Sequence, residues 1–265
     1  MASLHRIAAK FAELAARNEK GLITYLTAGD PDLDTTARLA EAMERAGADF
    51  LELGIPFSDP VADGPAIQKA SFRALKNGVR VAAIIRTAAQ IRSRTSVPLI
   101  FMTYYNPVLQ YGLEKFACDA AGAGVDGLIV PDLPCEEAGP LLEIMDSCGL
   151  ALIPLAAPTT TESRLQKIAA GARGFVYCVS VTGVTGARER IDTDLGQFTG
   201  RVRKYTRLPV AVGFGIAGPP QAAQTAPFCD AVVVGSAIVQ IVAKQGSSAV
   251  DAVSKFVREI KSALK

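Results

Sequence analysis

Glu52 is a charged side chain in an apolar setting. It stands between Leu51 and Leu53 in the run DFLELG, residues 49–54, which has the length and composition of a strand. In a closed barrel alternate strand residues point inward, which places Glu52 in the interior near the upper rim. Burying an ionised carboxylate is costly, so such a group is paired, neutral or used in chemistry. The other strand segments supply no evident basic partner, and a carboxyl with a raised pKa suits a general acid–base. Asp63 follows eleven residues later in VADGP. Turn carboxylates often only cap a backbone amide. This one leaves the same strand as Glu52, however, so two carboxylates from one strand–helix unit can flank one substrate. Asp59, in SDP, reads first as a turn or helix-start residue.

A second constellation suits an anion. One apolar run ends in Gly213-Phe214-Gly215-Ile216 and the next in Gly235-Ser236-Ala237. Glycines let backbone N–H groups approach a phosphate, a helix N-terminus adds favourable potential, and Ser236 can donate a hydroxyl hydrogen bond. In barrels the loops after the seventh and eighth strands commonly bind phosphate. The Gly183–Gly186 stretch would close a third side. Tyr177 lies mid-strand in FVYCV, where it either packs in the core or orients Glu52 or the substrate. Tyr104, Tyr105, Asn106 and Asp132 follow strands and gather at the same face.

These residues need a frame. Eight strand candidates alternate with helical patterns: 22–27, 49–54, 97–102, 126–131, 150–155, 174–180, 208–214 and 230–236. Most are continuously apolar, as parallel strands buried on both faces are. Helices are expected at 35–48, 81–94 and 135–148, the last interrupted by Pro140. Eight such units without a composition break predict one α/β domain spanning 1–265, a single (β/α)8 barrel. A doubly wound sheet fits less well, since no GxGxxG follows the first strand. Leu4, Ile7, Phe11 and Leu14 predict an extra amphipathic N-terminal helix, with Ser3 as its cap. Long loops follow the second strand (55–68) and the sixth (181–194), candidates for mobile lids over the site. No repeat beyond the alternation of elements stands out.

Composition narrows the chemistry further. The 265 residues are 49% hydrophobic and 20% charged, and 28 Lys+Arg against 26 Asp+Glu leave a net charge of +2. That excludes a disordered chain and gives no reason to expect nucleic acid as a partner. No apolar run is long enough to span a membrane. The five cysteines, Cys118, Cys135, Cys148, Cys178 and Cys229, form no CxxC pair, which argues against a disulfide framework or zinc site and fits the cytoplasm. His5 is the single histidine, so Ser-His-Asp, Cys-His and His-rich metal chemistries are excluded.

The segments TAGDP (27–31), AGADFLELGIPFSDPVADGP (46–65), FMTYYNP (101–107), GLIVPDLP (127–134), GFVYCVSVTGVTG (174–186), VAVGFGI (210–216) and VVVGSAIV (232–239) together resemble the tryptophan synthase α subunit family. The resemblance implies a carbon–carbon lyase that splits indole-3-glycerol phosphate into indole and glyceraldehyde 3-phosphate without metal or organic cofactor. Glu52 then matches the family's proton-shuttling glutamate and Asp63 the carboxylate facing the indole N–H. Tyr177 matches a tyrosine lining the site, Thr185 a loop threonine that orders Asp63, and Gly186, Gly215, Gly235 and Ser236 positions around the phosphate. Leu51, Phe214, Leu128 and Ile67 suit an indole ring. The resemblance also implies a β subunit that carries pyridoxal phosphate, receives indole and forms an α2β2 heterotetramer, with Asp59, Pro60, Asn106 and Pro134 at the interface. Some relatives release free indole alone. Val181-Thr182 departs from relatives carrying arginine and serine there.

Two other functions compete on sequence grounds. A phosphosugar isomerase would share the barrel and the phosphate cradle but needs an acid–base pair across a carbonyl. A non-catalytic barrel that only activates a partner would have no use for Glu52 and Asp63.

Overall fold

The computed structural model describes residues 2–179, 195–213 and 215–265, with side chains from residue 6 onward. Helix α1 (Ala2–Ala16) leads into β1 (Gly21–Thr27), α2 (Leu33–Arg45), β2 (Phe50–Gly54), α3 (Pro65–Lys76) and α4 (Val81–Arg92). There follow β3 (Leu99–Met102), α5 (Tyr105–Tyr111), α6 (Leu113–Gly122), β4 (Gly127–Ile129), α7 (Gly139–Ser147), β5 (Ala151–Ile153), β6 (Leu155–Ala156) and α8 (Glu162–Gly171). The chain ends with β7 (Val176–Val179), α9 (Leu195–Arg203), β8 (Val210–Gly213), α10 (Pro219–Thr225), β9 (Ala231–Val234), α11 (Ser236–Gln245) and α12 (Val250–Ser262). All strand pairs are parallel, in the order β5-β4-β3-β2-β1-β9-β8-β7-β6. The barrel is therefore as expected, but the fifth predicted strand, 150–155, is split. Pro154 has no N–H to give a ladder. Thus β5 pairs with β4, β6 pairs with β7, and the two halves of one segment close the ring.

Alternation sorts the apolar residues into two cores. Leu22, Leu51, Leu53, Phe101, Leu128 and Val212 face the surrounding helices. Ile23, Phe50, Ile100, Ile129, Ile153, Phe175, Ala211 and Val233 fill the interior. Helix α1 closes one end of that interior with Ile7, Phe11 and Leu14. The Phe11 ring lies 4.7 Å from Phe50 and 5.7 Å from Phe175. The helix starts at Ala2, so Ser3 lies within it and is not its cap. Pro140 sits in the first turn of α7, where its missing N–H costs nothing, so it starts this helix and does not break one running from 135.

At the same end, the residue before each of three strands is an aspartate that also accepts from the neighbouring strand. Asp49 accepts from Leu22 N–H and Lys261, Asp126 from Leu99 N–H, Arg6 and Arg92, and Asp230 from Val210 N–H and Arg203. This small repeat went unseen in the sequence because its partners are far along the chain.

Candidate active site

Glu52 sits in β2 with Tyr25 as its register partner on one side and Ile100 on the other. It is 1% exposed. Its Oε2 has no hydrogen-bond partner among the described residues. Burial first, and the charge of Asp63 second, raise its carboxyl to about 8. Glu52 is thus protonated at neutral pH and has a proton to give.

Asp63 is held by the loop between β2 and α3. Asp63 N–H bonds to Pro60 O at 3.1 Å, and the Gln68 amide donates to Pro60 O and Asp63 O at 3.2 and 3.0 Å. The N-cap of α3 is Gly64, with no side-chain cap bond, and Pro65 follows without an N–H. The Asp63 carboxylate is therefore not spent on capping, which removes the simpler reading of it. It is half-buried. Burial raises it to about 6, against the pull of a hydrogen bond from the Tyr104 hydroxyl. That same hydroxyl accepts from Ala62 N–H at 2.8 Å, and the Tyr104 ring lies 5.3 Å from Phe57. Two carboxyls are thus held at one mouth with different protonation: Glu52 neutral and Asp63 ionised at pH 7.

Around them the wall is apolar and aromatic. Met102, Leu155 and Tyr177 pack against the interior cluster, and Ile67 and Met102 pack against Tyr25. Glycine makes room for both tyrosine hydroxyls: a Cβ at Gly54 would overlap the hydroxyl of Tyr25, and one at Gly213 that of Tyr177. Beyond β8, Gly215 takes φ +58°, which favours glycine. Beyond β9, Gly235 is the N-cap of α11, a ten-residue helix, with no side-chain cap bond, and Ser236 is its first residue. This helix start is where an anion finds N–H donors and the positive end of the dipole.

The strand ends on this side carry part of the expected set. Glu52, Asp63, Tyr177, Gly215, Gly235 and Ser236 are all carried by the strand ends or the loops that leave them. Thr185, Gly186, Phe214 and the whole 181–194 loop lie outside the described residues. Leu51 and Leu128 do not reach the site. Each is one residue out of phase with an inward neighbour, so each faces the helices. Pro60 is buried, so of the Asp59–Pro60 pair only Asp59 is exposed. Asn106 is exposed on α5 and Pro134 half-buried after β4. A cavity of about 460 Å3 between α7 and α8 is lined by Leu133, Pro134, Leu142, Leu155, Arg164 and Lys167 and by neither carboxyl, so Leu155 borders both it and the site.

The sequence reading missed Tyr25 beside Glu52 and the role of Tyr104 in holding Asp63. A signal for Tyr25 existed: a lone polar ring in LITYLT, on the phase that parallel register sets against Glu52. It also missed Arg73, whose guanidinium grips Asp30 at 2.8 and 2.6 Å and ties α3 to the loop after β1.

A family model described as tryptophan synthase alpha chain matches residues 11–265. The chain belongs to the tryptophan synthase alpha chain family. It is 46% identical to the tryptophan synthase alpha chain of Clostridium kluyveri, over 98% of this chain and 100% of that one. It is 50% identical to that of Citrifermentans bemidjiense over 97% of each. A structure of Mycobacterium tuberculosis tryptophan synthase superposes with a TM-score of 0.91 at 37% identity, covering 98% of both chains. The tryptophan synthase alpha chain of Legionella pneumophila gives 0.89 at 36% identity, covering 98% of this chain and 97% of that one. The alpha chain family thus accounts for the barrel from end to end. No helix among the described residues is long and apolar enough to cross a membrane, and these residues form no group of three His, Cys, Asp or Glu able to hold a metal.

Proposed function

We propose that this alpha chain cleaves indole-3-glycerol phosphate with Glu52 as the general acid–base and Asp63 as the electrostatic stabiliser. The observation that carries the reading is Glu52 itself, buried, with an Oε2 unpartnered among the described residues, and raised to about 8. Its proton goes to C3 of the indole ring, and the ring becomes an iminium with a positively polarised N–H. The ionised Asp63 accepts from that N–H. The bond between C3 and the glycerol carbon then breaks, its electron pair restores the indole, and the neighbouring hydroxyl becomes the aldehyde. The hydroxyl proton returns to Glu52, so the step consumes no net proton. Asp63 must be ionised and Glu52 protonated, which gives activity between about pH 6 and pH 8.

The phosphate is assigned to Gly215, Gly235, Ser236 and the start of α11, with Gly186 on the remaining side, and Thr185 to ordering Asp63. Tyr177, Met102, Leu155 and Ile67 face the ring. The reading requires no metal or organic cofactor in this chain. It places pyridoxal phosphate in a β subunit that takes up the indole, in an α2β2 assembly of the cytoplasm. Asp59, Asn106 and Pro134 stand on the loop side that would meet that subunit.

The test is indole release from indole-3-glycerol phosphate, with and without a tryptophan synthase β subunit. Slow release accelerated by β supports a coupled lyase subunit. Fast release indifferent to β would make the chain a free-standing indole-releasing lyase and remove the partner assignment. Release in neither case would overturn the substrate.

A further inference from the structure

Cys118 in α6 and Cys148 at the C-cap of α7 face each other with their Sγ atoms 3.6 Å apart, across a sequence separation of 30. Cys118 is exposed and Cys148 half-buried. The other cysteines offer no such pair among the described residues. Cys178 and Cys229 are buried, and burial pushes both thiols up to about 12. Cys135 contacts Glu136, at 3.2 Å.

We propose that Cys118 and Cys148 are a dithiol modification site that reacts with a small disulfide oxidant and closes into an intramolecular disulfide. A thiolate of the pair attacks one sulfur of the small disulfide, and a small thiolate leaves. The second protein thiolate then attacks the protein sulfur of the mixed disulfide and expels the other small thiolate. Two protein S–H groups become one S–S bond, both protons end on the two small thiols, and two electrons pass to the reagent. The sulfurs must close from 3.6 Å to about 2.05 Å. The hydrogen bond that the Cys118 thiol shares with Cys148, the Cys148 charge, and Asp119 and Glu114 nearby all raise the Cys118 thiol, so the reaction is slow at neutral pH and needs sustained oxidant.

The pair lies where helices hand over to strand starts, at the opposite end from Glu52 and Asp63. Closure would staple α6 to α7 around β4 and constrain the unfolded chain without touching the site. The full chain, incubated with oxidised glutathione, alkylated and mapped by mass spectrometry, tests this. The expected result is joined Cys118 and Cys148 peptides, two hydrogens lost, a Tm about 5 °C or more higher and unchanged indole release, all reversed by dithiothreitol. Cys118→Ser should instead retain glutathione on Cys148 with no rise in Tm. A glutathione adduct on the wild-type pair that never resolves, no modification at all, or a cross-link that persists in Cys118→Ser would each overturn the proposal.

Discussion

The two ends of this barrel bury the same functional group in opposite ways. At the end closed by α1, Asp126 has a fully buried side chain, yet Arg6, Arg92 and Leu99 N–H all point at it, at 2.7, 2.8 and 2.8 Å. Burial pushes that carboxyl up while the backbone N–H and both guanidiniums pull it back. At the opposite end Glu52 is equally buried, and among the described residues no cation acts on it and its Oε2 has no hydrogen-bond partner. One arrangement fastens strands; the other leaves a carboxyl raised to about 8. A buried carboxylate is therefore informative only together with its partners.

The sharpest way to break this contrast is Glu52→Gln. Removing the proton donor should lower indole release by about 100-fold or more while the chain stays folded. The same variant tests the protonation assignment. Glu52 rises from 4.5 unfolded to about 8 folded, so between those limits the folded state holds a proton the unfolded chain has released. Its contribution to stability is complete below 4.5 and is lost as pH climbs through 8. Urea midpoints of the wild type should decline over that range, and Glu52→Gln should flatten the decline. Parallel profiles for the two proteins would contradict a neutral, buried Glu52.

At the closed end the expected response is reversed. Asp126→Asn leaves two guanidiniums facing a neutral amide and should cost about 3 kcal/mol of stability, with indole release per folded molecule preserved. Denaturant titration beside a steady-state assay checks both halves. If activity collapsed while stability held, the division between the two ends would be wrong.

A smaller effect is expected at Tyr104→Phe. One hydrogen bond of about 1 kcal/mol corresponds to about a fivefold loss in kcat/KM. The hydroxyl also lowers Asp63, so its loss should move the acidic limb of the pH–rate profile to higher pH. An unshifted limb would mean that Asp63 is positioned by something other than Tyr104.

The sequence carried far into this site because its signals are local. An apolar strand interrupted by one glutamate, a loop aspartate from the same strand, and glycines closing two late strands are all visible within a few residues of chain. Parallel strands in a barrel alternate strictly, so Glu52 inward follows from its neighbours outward. The same rule, applied one residue further, already argues against Leu51 as an indole contact and in favour of Tyr25. Pro154 and Pro140 were visible too; where a missing N–H breaks a ladder or starts a helix depends on neighbours that a single chain segment does not reveal.

What the chain order alone determined is therefore the repeated strand–helix unit, the inward phase of Glu52 and the glycine-rich ends, all set by covalent spacing and backbone geometry. Tertiary structure alone decided which charges meet. Arg6 reaches Asp126 across a sequence separation of 120, Lys261 reaches Asp49 across 212, and Tyr104 grips Ala62 across 42. The physical reason is that pKa and burial depend on what surrounds a group in space. The Glu52 carboxyl is raised to about 8 because closing the ring removes water from it and, among the described residues, brings no cation in exchange.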